Sequence, residues 1–129
     1  MEYLLLIYPD TAMRDALPEA EYDAHMRACL QQTDQLETAG VLTSTRQLAA
    51  PKIAKTVRIR NGKATVLDGP FAETKEVLAG FILIQAANLE QALEIAKASP
   101  WAQLGCIEVR PARDMRQVRE RAGLERNIA

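Results

Sequence analysis

The stretch Tyr3-Leu4-Leu5-Leu6-Ile7-Tyr8 decides the fold, because it is apolar at odd and even positions alike. Alternation would mark a strand with one wet face; an unbroken run predicts a strand covered on both. A second such run, Leu78-Ala79-Gly80-Phe81-Ile82-Leu83-Ile84, lies far along the chain. Six apolar residues without a basic leader are too few for a signal peptide or a membrane span. The opening therefore reads as a buried strand of a cytoplasmic protein.

Outward from that strand, Pro9-Asp10 closes it and a polar connection leads to Pro18, which with Glu19 and Glu21 opens a helix. Tyr22, Met26, Cys29, Thr33 and Leu36 recur at helical spacing and predict one inward stripe, ended by Gly40. Val41 to Leu48 can form a second strand. Val57 and Ile59 alternate with Arg58 and Arg60, Asn61-Gly62 supplies a type I′ turn, and Ala64 and Val66 continue the apolar face of a hairpin. After the second apolar run, Asn88 caps a helix, with Gln91 in a capping-box position. Leu89, Ala92, Leu93 and Ala96 are its expected buried face, and Ser99-Pro100 ends it. Leu104 to Arg110 reads as the last strand. The Arg-rich tail, 112–129, is a short helix or a frayed end.

The order β-α-β, hairpin, loop, β-α-β predicts a ferredoxin-like α+β domain, its two helices on one face of a mostly antiparallel sheet. Two helices cannot cover both faces. The bare face would be an apolar patch on the order of several hundred Å², larger than soluble monomers usually expose. A twofold partner packed sheet against sheet solves this, giving a homodimer of the dimeric α+β barrel type.

The 129 residues suit one domain, and 48% hydrophobic with 26% charged residues excludes a disordered chain. A net charge of −1 gives no general attraction to nucleic acid or acidic membranes. Arg58, Arg60 and Lys63 make the hairpin basic, yet aromatic stacking partners are absent from it, so nucleic acid is not the expected partner. Cys29 and Cys106 lack metal or redox spacing and read as small core residues. A lone histidine, His25, with no cysteine or acid pair nearby in sequence predicts no metal site. No phosphate loop, nucleophile elbow or dinucleotide fingerprint is present, and no cofactor is implied.

The segment Asp68-Gly69-Pro70-Phe71-Ala72-Glu73-Thr74-Lys75-Glu76 packs acid, turn formers, an aromatic and alternating charges into nine residues. Gly69-Pro70 makes a rigid corner that presents Asp68 and Phe71. Asp68 follows Leu67 at a strand end, where partial burial would raise its pKa and suit it to proton transfer; it can equally hold the turn by accepting backbone N–H bonds. Phe71 is a core anchor or a ligand platform. Glu73, Lys75 and Glu76 form a solvated edge, or Glu73 and Lys75 bind a substrate. His25 sits at the border of the first helix's stripe, as a general base oriented by Asp68 or as a partly buried ring bonded to a carbonyl.

Residues 68–76, read with Tyr3 to Tyr8 and with Cys106-Ile107-Glu108-Val109-Arg110-Pro111, resemble the YCII-related family in its DGPF-domain branch, over roughly residues 1–111. The resemblance implies a ferredoxin-like dimeric α+β barrel in bacterial cytoplasmic proteins, often encoded beside extracytoplasmic-function sigma factors. It further implies a His–Asp pair lining a cleft, and some relatives act on substituted hydroquinones. Asp68 fits the acid of that pair through its place in the motif. The family's histidine lies about three turns before the first helix's terminal glycine; counted back from Gly40 this place falls on Cys29, with His25 one turn earlier. Two functions are therefore expected to compete. One is a small cofactor-free enzyme in which Asp68 and His25 shuttle a proton on a small molecule, aromatic ones included. The other is a non-catalytic dimeric ligand-binding module, with a sigma factor as its protein partner.

Overall fold

Burial alternates along β1 (Glu2–Pro9): Tyr3, Leu5 and Ile7 are buried, while Leu4, Leu6 and Tyr8 on the other face are only partly covered. The same holds for β5 (Gly80–Gln85), where Ile82 and Ile84 are buried and Phe81 and Leu83 are not fully so. These strands are central in a four-stranded antiparallel sheet of order β2-β5-β1-β6, with β2 at Leu42–Gln47 and β6 at Gly105–Pro111. This is the ferredoxin-like α+β order, the protomer type of dimeric α+β barrels. The computed structural model describes residues 1–72 and 74–124.

Two helices cover the odd-numbered face of β1. Helix α2 (Glu19–Thr38) lays down Cys29 with Tyr22, Met26 and Leu36, the stripe its spacing predicts. Helix α3 (Leu89–Lys97) is capped by Asn88, whose side chain accepts the Gln91 N–H at 2.9 Å. Its inward face differs from expectation: Ala92 and Ala96 are buried and Ile95 packs beside them, but Leu89 and Leu93 are exposed. Small alanines let the helix ride close to the sheet, which leaves the neighbouring leucines outside. Full burial of Leu5 and Ile84 contributes roughly 1.5–3 kcal/mol each.

Short elements appear where connections were expected. Asp10 caps a single-turn helix, α1 (Thr11–Asp15), by accepting the Met13 N–H. A 3-10 turn at Pro100–Leu104 inserts Trp101 and Leu104 into the core. Cys106, expected inside, is exposed because it lies on the sheet face away from the helices, paired with Tyr8. Part of the tail forms helix α4 (Met115–Arg121); residues 125–129 lie outside the described residues.

The hairpin stands apart as its own two-stranded sheet, β3 (Lys55–Arg60) and β4 (Lys63–Asp68). Asn61 and Gly62 take φ of 52° and 75°, the left-handed pair a type I′ turn requires. Its apolar residues find no cover among the described residues: Val57, Ile59 and Val66 are each more than 60% exposed. The arm is rooted where Leu48 N–H donates to the Ala79 carbonyl and Ala79 N–H to that of Ile7.

Candidate functional site

A cavity of about 120 Å³ opens between α2, the Trp101 turn and the ends of β2 and β5. That volume approaches the ~150 Å³ that accepts a benzene ring in an engineered protein core. The inward stripe of α2 supplies Tyr22, Met26 and Cys29, and Trp101 closes one side. Arg14 reaches in from α1, and Arg46 from the edge strand β2. Gly80 lets β2 and β5 approach here: a Cβ on it would lie 2.7 Å from the Arg46 carbonyl oxygen.

The walls are tied together by polar contacts. Gln47 Nε2 lies 3.2 Å from Met26 Sδ, joining β2 to α2. Thr33 Oγ1 donates to the Cys29 carbonyl at 3.1 Å, within α2. The Cys29 thiol is pushed up to about 11, chiefly by burial, against a smaller opposing effect from a backbone hydrogen bond at Trp101. It is therefore a neutral wall group at ordinary pH. Arg14 and Arg46 are the charged groups among the described lining residues, and Arg14 Nε lies 3.5 Å from the carboxylate of Asp15, which does not itself line the cavity.

His25 sits on α2 behind this wall. Its ring meets Trp101 edge-on at 5.0 Å between centroids, and Tyr22 meets the same indole at 6.4 Å. The His25 Nε2 is enclosed and has no hydrogen-bond partner among the described residues. The imidazole does not line the cavity; Trp101 stands between.

The other expected site residues are elsewhere. Asp68 ends β4 with its side chain 85% exposed, and its carboxylate pairs with Lys55 across the hairpin. The expected half-burial is therefore corrected: Leu67 beside it is itself half exposed, since the arm has no core to enter. Neither Asp68 nor His25 lines the cavity, and Asp68 makes no hydrogen bond to His25. Phe71 is 79% exposed and anchors nothing in the core. Gly69 carries a φ of 88°, so the corner forms as its glycine permits. Glu73 lies outside the described residues. Lys75 is spent on the fold, with its ammonium 3.3 Å from the buried carboxylate of Asp10. Sequence reasoning missed Trp101, Arg14 and Arg46; a lone Trp directly after Ser99-Pro100 was the one available signal.

A family model described as the YCII-related domain matches residues 1–116. The chain belongs to the YCII-related family. An uncharacterized protein of Rhizobium meliloti (strain 1021) is 38% identical over 115 residues, spanning 86% of this chain and 91% of that one. Among solved structures, 5-chloro-2-hydroxyhydroquinone dehydrochlorinase (TftG) from Burkholderia phenoliruptrix AC1100, in complex with 2,5-dihydroxybenzoquinone, is similar with a TM-score of 0.54. The match covers 88% of this chain and 94% of that one at 10% identity, so the likeness is one of fold. Among the described residues no helix is long and apolar enough to cross a membrane.

Proposed function

We propose that this YCII-related protein is a homodimer that binds a small, planar, oxygenated molecule of about one ring in the cavity under α2. The observation that carries the reading is the composition of the wall: Trp101 and Tyr22 are aromatic, Arg46 brings a guanidinium and Arg14 a second one shared with Asp15, and none of the described lining residues is a carboxylate. Apolar enclosure with a few convergent donors is the usual form of a small-molecule site. Guanidinium groups favour carboxylates, phenolates and hydroxyquinones, and the aromatic wall removes the ring from water. The quinone bound by the structurally similar dehydrochlorinase belongs to this chemical class and supports it. The dimer is supported by the sheet face away from the helices, where Leu4, Leu6, Tyr8, Phe81 and Leu83, each only partly covered, form a continuous apolar strip.

Trp101 is the only tryptophan and a cavity wall, so its emission reports occupancy. Titration with 2,5-dihydroxybenzoquinone is expected to quench it saturably, and Arg46→Ala to weaken the apparent affinity at least tenfold. Linear, unsaturable quenching, or equal affinity in the variant, overturns the assignment of the cavity.

Turnover is the second reading, favoured by His25, whose enclosed Nε2 has no hydrogen-bond partner among the described residues and whose ring packs on the Trp101 wall, so that a shift of that indole would bring it to the ligand. Asp68 of the same chain has no share in this, because Lys55 holds it in solvent on the arm. His25→Gln is expected to keep binding and abolish turnover of a hydroquinone; loss of both together would make His25 a packing residue only.

A further inference from the structure

We infer that the β3–β4 arm of one protomer lies across helix α2 of its partner and closes the mouth of the partner's cavity. The inference rests on the homodimer reading above. A two-stranded hairpin alone in water is marginal at best, and three or more strands or a packed element are needed to hold one. Among the described residues β3 and β4 pair only with each other, every residue of β4 is exposed, and Val57, Ile59 and Val66 form an apolar stripe on one face. None of the described residues covers that stripe, which leaves it open to a partner.

Charge identifies the occupant. From Pro51 to Asp68 the arm carries Lys52, Lys55, Arg58, Arg60 and Lys63 against a single acid, Asp68, which pairs with Lys55 at its base. Arg60 and Lys63 stand directly opposite each other in the ladder, a like-charge pairing that disfavours the arm in isolation. Helix α2 carries the complement. Glu19, Asp23, Asp34 and Glu37 fall within about 60° of one another on the helix, with Leu30 at their centre. All four acids are exposed, Arg27 at the stripe's edge is the only Lys or Arg on α2, and Glu19 with Asp23 is a like-charge pair at helical spacing. Leu30 is 51% exposed and lines the cavity mouth. An acidic stripe centred on an exposed leucine thus matches a cationic arm with an exposed apolar stripe. The cations on the arm's reverse face steer the approach, and the apolar face makes the contact. Its own α2 is not the receiver, since the arm's apolar residues stay exposed on their own protomer. Six-residue strands give the arm a reach of roughly 20 Å. With the arm in place, the second copy supplies the missing wall of the site.

The test places a photoreactive benzoylphenylalanine at Ile59 in dimers assembled from mixed ¹⁴N- and ¹⁵N-labelled chains, after sedimentation has established the dimer. Cross-links joining opposite labels, from the arm to tryptic peptides 15–27 or 28–46 of α2, are the expected result. In the surface variant Arg58→Glu/Arg60→Glu/Lys63→Glu, acrylamide quenching of Trp101 should rise at least twofold while the dimer persists. A dimer giving only same-label cross-links, none, or cross-links to co-purifying nucleic acid overturns the arm's placement and leaves the dimer standing. A chain that sediments as a monomer at every concentration overturns the homodimer reading and the arm with it.

Discussion

The ammonium of Lys75 lies 3.3 Å from the buried carboxylate of Asp10 and ties the 68–76 motif to the end of the first strand. The backbone repeats the connection. Thr11 donates to the Lys75 carbonyl through its N–H at 3.1 Å and its hydroxyl at 3.2 Å, and Asp10 bridges to Glu76. Asp10 N–H in turn donates to the Leu104 carbonyl at 2.6 Å. One residue thus joins the end of β1, the loop after the arm and the Trp101 turn. The nine-residue motif serves as a clamp at the base of the arm.

Asp10 is therefore the most consequential acid for stability. Its carboxyl is held below its ordinary value of 3.8, first by the Met13 N–H and then, against the opposing effect of burial, by Lys75. A depressed folded-state pKa means that this stabilisation is complete above the unfolded value and lost as pH falls through the folded one. Asp10→Ala removes cap and charge together and should lower the melting midpoint by about 3–5 °C. Asp10→Asn keeps a capping oxygen and should lower it less, with a flatter profile below pH 4. Lys75→Ala removes only an exposed partner and should cost under about 2 °C. Thermal melts from pH 2 to 7 decide it; a Lys75 effect as large as that of Asp10→Ala would refute the ranking.

Gly105 abuts the same junction from the other side. A Cβ there would lie 2.7 Å from Asp10 N and closer still to the Tyr8 carbonyl oxygen, all rigid backbone. Gly40 is the contrasting case, with φ of 73° and open space around it. Gly105→Ala should cost about 2–3 kcal/mol through forced separation of β1 and β6. Gly40→Ala should cost about 1 kcal/mol through backbone strain alone. Urea unfolding of the two variants gives the order, and equal costs would mean the junction can yield.

Sequence legibility followed the range of the interactions. The unbroken apolar runs at β1 and β5, the Asn61-Gly62 turn and the Asn88 cap are local signals, and each element stands where its signal lies. The α1 turn was obscure because five residues, Thr11–Asp15, hold too little periodicity to register. Asp68 misled because its neighbour Leu67 looks like a core residue, and nothing local says that the whole hairpin leaves the core. The cavity was invisible for another reason: Arg14, Cys29, Arg46 and Trp101 come from four separate elements, and only the folded sheet assembles them.

The open sheet face gives a direct test of the proposed homodimer. Leu6 sits between Phe81 of β5 and Glu108 of β6, in the middle of the strip of partly covered apolar residues. Its side chain faces away from the helices, so replacement does not disturb the core beneath. Leu6→Glu would set a second carboxylate beside Glu108 within the proposed contact. It should sediment as a monomer at tens of micromolar, with an unchanged far-ultraviolet circular dichroism spectrum. Thr65→Glu, an exposed arm substitution, should remain dimeric. A dimeric Leu6→Glu protein would move the interface off this face.

Cys29 tests whether the cavity holds a nucleophile. It occupies the place where the family resemblance expects a histidine, and it lines the cavity beside Trp101. With its thiol raised to about 11, only about one molecule in a thousand is thiolate at pH 8. A free cysteine of pKa about 8.5 is about one quarter ionised there, so Cys29 should alkylate about two hundredfold more slowly. Iodoacetamide labelling at pH 8, with peptide mass spectrometry to separate Cys29 from exposed Cys106, measures the rate. The rate should climb about tenfold per pH unit up to pH 10, as expected for a thiol that ionises only above that range. Labelling at the free-cysteine rate would mean that the wall carries an activated thiolate. Covalent chemistry at Cys29 would then replace ligand binding as the reading of the site.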